Sequence, residues 1–223
     1  MIINQEFIRC EITNNVEFDE VGDEKLVSVP YRWSHGATDD HLGDGLIIYS
    51  LIQFMRAKIC VCLGSGGGFI PRIMTQARLD LHSQKIFDGT RDINWGDIGT
   101  TFVVDATNGV GGNVNWMNEE SFFRRVYSPR ILNTTTEDAF YNFFVKQEIQ
   151  IDYLHIDAGH SYESVKEDFE LYSQLISDNG IISIHDTDPN YADKYIVTNE
   201  VKDRGDFEDW SGPVRLVKEI DIT

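Results

Sequence analysis

Two short apolar runs, Tyr153 to Ile156 and Ile181 to Ile184, flank a stretch in which Val165, Phe169, Tyr172 and Ile176 recur at helical spacing. This order predicts a strand, a crossover helix and a second, parallel strand. Ligands of open parallel sheets gather at the carboxyl ends of the strands. Asp157 and His160 follow the first run and His185 and Asp186 the second, so two carboxylates and two imidazoles are predicted to share one crevice.

The rest of the chain repeats the pattern. Ile48, Leu51, Ile52 and Met55 mark an amphipathic helix from Asp44 onward, closed by the basic Arg56-Ala57-Lys58. Ile59 to Leu63 reads as a buried strand, followed by Gly64-Ser65-Gly66-Gly67-Gly68 and a helix from Ile70 to about Leu79, with Pro71 in its first turn. Residues 80–99 lack periodicity and read as a surface excursion. Thr101 to Val104 is a second strand ending at Asp105, with a glycine loop at Gly109 to Gly112 and a short helical stretch around Phe122 to Val126 behind it. Arg130 to Leu132 is a third strand. Thr136 is placed to cap a helix with Glu137 and Asp138 in its first turn and Phe140, Phe144 and Val145 on its buried side. Alternating strands and helices imply an α/β fold, a Rossmann-like, doubly wound and mostly parallel sheet with helices on both faces.

At 223 residues, with no linker, repeat or low-complexity tract, the chain is expected to form a single domain. Residues 1–41 would be an amino-terminal cap or edge, 42–188 the cofactor-binding core, and 189–223 a substrate-side segment. A formal charge of -18 leaves no basic stripe for phosphate backbones, so neither nucleic acid nor an anionic membrane is an expected partner. Cys10, Cys60 and Cys62 form no disulfide framework, no run is long enough to span a bilayer, and the amino terminus lacks a signal pattern. The expected compartment is the cytoplasm.

A strand, a glycine turn and then a helix let a ligand approach the backbone closely, although such turns also serve simply to pack a helix on a strand. Phe69 stands where a dinucleotide fingerprint needs its third glycine, and Gly64, Gly66 and Gly68 instead spell G-x-G-x-G. Asp105 is suitably placed to accept hydrogen bonds from both hydroxyls of a ribose, or to cap a turn. Asp138 could meet an adenine amino group, or serve only as a first-turn helix carboxylate.

Through VCLGSGGGF, VVDAT, TEDAF, LHID and SIHD, the chain resembles the class I S-adenosylmethionine-dependent methyltransferases over roughly Leu46 to Asp188. The portion HIDAGHSYESVKEDF to NGIISIHD is similar to the branch of macrolide-sugar O-methyltransferases and cephalosporin-hydroxylase-like proteins. The resemblance implies that Gly64, Ser65, Gly66 and Gly68 surround the methionine part of S-adenosylmethionine, Asp105 the ribose, and Asp138 with Ala139 the adenine. It further implies Asp157, His185 and Asp186 as ligands of a divalent ion, and His160 as general base for a hydroxyl on a small acceptor such as a sugar. In the branch a second acidic ligand stands where this chain has His185. Hard oxygen ligands favour Mg²⁺, and a histidine ligand makes Mn²⁺ competitive. Two carboxylates and an imidazole can equally form a hydrogen-bonded network without metal.

The chain departs from the superfamily pattern at Cys62, where an acidic residue often precedes the glycines, and in the long gap between the glycine turn and Asp105. It departs again at GPVRLVKEI, which reads as a helix start or as one strand where a hairpin is usual, so the sheet is expected to be shortened there. A nicotinamide-dependent oxidoreductase and a non-catalytic nucleoside-binding protein remain alternatives. The acceptor and the oligomeric state are not encoded in any readable motif.

Overall fold

The structure is a computed structural model that describes residues 42–66, 68–87, 99–107, 128–188 and 212–220, with side chains of the second helix described up to residue 81. Among the described residues five strands form one sheet: β1 (Ile59–Leu63), β2 (Thr100–Val104), β3 (Arg130–Leu132), β4 (Ile151–Ile156) and β5 (Ile176–Ile184). Their order is β3-β2-β1-β4-β5, and every adjacent pair is parallel. The order reverses direction between β1 and β4, the topological switch point at which such sheets open a crevice.

Apolar residues on both faces make the central strands read as unbroken hydrophobic runs, because helices cover the sheet on either side. Cys60, Cys62 and Tyr153 face helices α1 (Asp44–Met55) and α2 (Phe69–Phe87), where they pack with Ile48, Ile52, Ile73 and Met74. Val61, Leu63, Leu154 and Ile156 face the other way. There they meet α3 (Thr136–Ala139), the π-helical turn Phe140–Phe144, α4 (Tyr162–Tyr172) and Leu216 of α5 (Gly212–Glu219). Cys60 and Cys62 thus point to one face, and both thiols are buried and outside any disulfide.

Four expectations are corrected. Helix α2 runs on to Phe87 rather than stopping near Leu79. Asp80, which reads as a boundary, is a buried helical residue that accepts from the Tyr49 hydroxyl at 2.7 Å and from Gln76 at 2.9 Å. Strand β5 begins at Ile176, five residues before its apolar run, so Ile176 belongs to the strand and not to the helix. The cap of α3 is Thr135, whose side chain accepts from the Asp138 N–H, and not Thr136. Val145 is exposed while Phe140 and Phe144 are buried. The Val145 N–H reaches the Phe140 carbonyl five residues back, and the wider π turn rotates Val145 off the face that 3.6-residue spacing predicts. At the carboxyl end, GPVRLVKE is helical, which decides between helix start and strand. The glycine loop at 109–112 and the stretch around 122–126 lie outside the described residues.

Candidate active site

All the predicted site residues in the described segments stand at the carboxyl edge of the sheet. Backbone bonds stitch that edge together across the strands: Gly64 N to Val104 O at 2.9 Å, Asp105 N to Leu132 O at 3.1 Å, Asp157 N to Leu63 O at 2.8 Å and His185 N to Ile156 O at 3.0 Å. Gly64 has φ +73°, and a Cβ there would stand 2.0 Å from the Asp157 carbonyl oxygen. Only glycine lets the end of β1 pass so near the end of β4. The glycine turn and the acidic cluster thus adjoin at the switch point, which is the spatial relation the predicted chemistry requires.

On the β1–β3 side, Gly66 has φ +48°, and among the described residues beyond its chain neighbours no atom lies within 4 Å of where its Cβ would be. This open cradle fits a ligand lying against the backbone. Ser65 is buried and gives both its N–H, at 3.1 Å, and its hydroxyl to Oδ2 of Asp105. Oδ1 of Asp105 accepts from the Thr107 N–H at 2.9 Å and its hydroxyl at 3.1 Å. The Asp105 carboxylate is therefore already held in a turn by its own neighbours. With two bonds on each oxygen the carboxylate's ordinary acceptor capacity is filled by the turn, and a ribose bonded there would have to replace one of these partners. Thr107 was not singled out from the sequence, although an Asp two residues before a threonine is an Asx-turn signal. Asp138 is exposed and Ala139 is buried beneath it.

On the β4–β5 side the four polar groups meet. His160 Nε2 is 3.1 Å from Asp186 Oδ2 and 3.7 Å from Asp157 Oδ1, while His185 Nδ1 is 3.0 Å from Asp186 Oδ1 and 3.3 Å from Asp157 Oδ1. Ser161 caps α4 by accepting from the Ser164 N–H, which sets His160 immediately ahead of a helix. Burial disfavours charge on both imidazoles, but their contacts with the two carboxylates outweigh it and push His160 up to about 9 and His185 up to about 10. The carboxylates respond in the opposite sense. Burial would raise them, yet the imidazoles hold Asp186 down to about 2 and Asp157 further below the ordinary range. The mutual contacts thus favour the charged form of all four groups.

An oxygen of Asp157, a ring nitrogen of His160 and an oxygen of Asp186 lie within 4.8 Å of one another. Mixed oxygen and imidazole donors at this spread fit a divalent cation. His185, the predicted third ligand, is not in that set of three. It touches the same two carboxylates through Nδ1.

Beneath the cluster, the Tyr153 hydroxyl donates to Ser183 at 2.8 Å, Ser183 donates to the Leu154 carbonyl at 3.2 Å, and His155 Nδ1 is 2.9 Å from the Ser183 oxygen. Burial holds His155 neutral, its pKa lowered to about 4. Strand alternation places Tyr153, His155 and Ser183 on one face, but nothing in their sequence spacing signals the hydrogen bonds. His35 and His41 lie outside the described residues, and the His82 side chain is not described.

No helix of the described residues is long and apolar enough to cross a membrane. No curated protein matches the sequence. Among solved structures, the chain is similar to an O-methyltransferase from Bacillus cereus in complex with S-adenosylhomocysteine, at 13% identity and TM-score 0.56, covering 99% of this chain and 89% of the other. It is also similar to the O-methyltransferase TomG from Streptomyces achromogenes, involved in tomaymycin synthesis and solved with S-adenosylmethionine, at 12% identity and TM-score 0.53, covering 97% and 86%. At such identities the likeness carries the fold alone. The family described as a methyltransferase domain matches residues 61–187, more than half of the chain, from within β1 to just beyond the His185-Asp186 pair. With that match the oxidoreductase alternative falls away: the chain belongs to the methyltransferase-domain family and is a class I S-adenosylmethionine-dependent methyltransferase.

Proposed function

We propose that the protein transfers a methyl group from S-adenosylmethionine to a hydroxyl of a small molecule such as a sugar. The observation that carries this reading is the contact between the Gly64 turn and the Asp157 backbone, which sets a cradle for the donor beside a cluster able to deprotonate an alcohol. Gly64, Ser65, Gly66 and Gly68 would border the methionine moiety, Asp105 the ribose, and Asp138 with Ala139 the adenine. The bound donor supplies an electrophilic methyl on sulfur. Asp157 and Asp186 together with His185 would hold a divalent cation, which when bound lowers the pKa of an acceptor hydroxyl.

His160 takes the proton of the acceptor hydroxyl as that oxygen bonds to the methyl carbon and the carbon–sulfur bond breaks, leaving methyl ether and thioether. The base must be neutral to do this, yet Asp157 and Asp186 favour its protonated form. Turnover by the metal-free protein is therefore expected to rise as pH approaches 9. A second reading is favoured by the three-donor set: His160 is the third ligand and His185 the base.

Calorimetry with S-adenosylmethionine and S-adenosylhomocysteine tests the donor, and absence of binding of both to folded protein rejects the proposal. Methyl transfer from labelled donor to a panel of hydroxyl compounds would exclude a purely binding role. His160→Ala and His185→Ala separate the two assignments. The variant that loses roughly 10²-fold in turnover with Mn²⁺ affinity intact has lost the base, and the one that loses Mn²⁺ affinity has lost a ligand.

A further inference from the structure

Asp168 is a carboxylate that the chemistry above does not use. It sits inside α4, 1% exposed, with Oδ2 buried and lacking a hydrogen-bond partner. The Thr136 side chain stands close enough to favour its charged form. Burial, with Glu167 adding to it and Thr136 opposing, pushes its pKa up to about 6. One turn further along α4, the Tyr172 hydroxyl donates to the Thr136 carbonyl at 2.8 Å. Helix α4 therefore holds Thr136 by its carbonyl, with the Asp168 carboxylate beside its side chain.

Thr136 opens α3, a helix of four residues that continues as a single π turn. So short a helix has too few internal hydrogen bonds to hold its own position. Its place comes instead from α4, through Asp168, through Tyr172, and through the Tyr172 ring, whose centroid lies 5.5 Å from those of both Phe140 and Phe144. The residues so placed are Asp138 and Ala139. We propose that Asp168 and Tyr172 are positioning residues for the methyl donor, holding the Thr136–Ala139 turn where it meets the adenine. The inference rests on the adenine assignment above. It also gives α4 a double task, since the same helix begins directly after His160 at one end and seats the adenine turn with the other.

The test is calorimetric titration of folded wild type, Asp168→Ala, Asp168→Asn and Tyr172→Phe with S-adenosylhomocysteine and with 5′-methylthioadenosine, which share the adenine. Asp168→Ala should weaken both ligands by the same factor, about tenfold, as the seat loses the carboxylate packed beside Thr136. Asp168→Asn keeps an acceptor for Thr136 and should stay within about threefold of wild type. Full affinity in folded Asp168→Ala, or a larger loss for S-adenosylhomocysteine than for methylthioadenosine, overturns the proposal. A melting temperature that falls while both affinities hold likewise assigns Asp168 to stability alone. Where Asp168→Ala does not fold, Tyr172→Phe decides, because its ring keeps its packing: reduced affinity for both ligands supports the proposal and unchanged affinity overturns it. Wild type that binds neither ligand removes the donor reading itself and this inference with it.

Discussion

The two halves of the crevice are built by different means. On the β1–β3 side, the site is made of backbone conformation: positive-φ glycines, an empty space over Gly66, and a carboxylate whose oxygens are tied to the adjoining turns. On the β4–β5 side it is made of charge, four titratable side chains that balance one another in a partly buried pocket. The contrast matches what each half would bind. A large, constant donor is held by shape and peptide groups, which do not titrate, while proton removal needs groups whose charge can change.

The comparison breaks first at Gly64. Replacing it with alanine drives a methyl group into the Asp157 carbonyl in a backbone region that disfavours side chains, and should cost about 4 kcal/mol, read as a fall in the urea midpoint. A stable Gly64→Ala would mean that the halves are not in contact there. Next in size is Asp168→Asn. A carboxyl raised on folding contributes stability below its unfolded pKa, near 4, and loses it as pH rises through about 6. The variant should therefore match wild type at pH 4 and exceed it by about 2 kcal/mol at pH 8, by denaturation at the two pH values.

Gly66→Ala sharpens the contrast with Gly64. Its Cβ would meet no atom of the described residues beyond its chain neighbours, so stability should fall by only about 1 kcal/mol while S-adenosylhomocysteine affinity drops about tenfold. Equal ligand affinity would remove Gly66 from the donor site. The charged half is read through pH. Raised imidazole pKa values make a contribution that is complete below about 6.5 and lost as pH climbs to about 9 and 10. The depressed carboxylates make one that is present above about 4 and lost toward pH 2 and below. Metal-free wild type should thus lose stability between pH 7 and 10, and Asp186→Asn should lose less over that range.

Strand positions were legible because buried parallel strands are apolar on both faces. Ile59–Leu63 and Arg130–Leu132 were read with their observed boundaries, and Asp157, His160, His185 and Asp186 were located by strand ends alone. What escaped depended on partners distant in sequence. Asp80 looks like a helix end until Tyr49 is beside it, Val145 looks buried until the π turn rotates it outward, and Asp168 looks like a solvated helical acid until packing buries it.

Local periodicity and turn chemistry, which act between near neighbours in the chain, therefore determined the order of elements, the parallel sheet and the edge at which chemistry is placed. Only the tertiary structure decided which imidazole stands with both carboxylates as a three-donor set, which carboxylate is buried, and that the glycine turn touches the acidic loop. These depend on distances and dielectric between segments far apart in sequence, and no residue pattern encodes a distance until the sheet has set it.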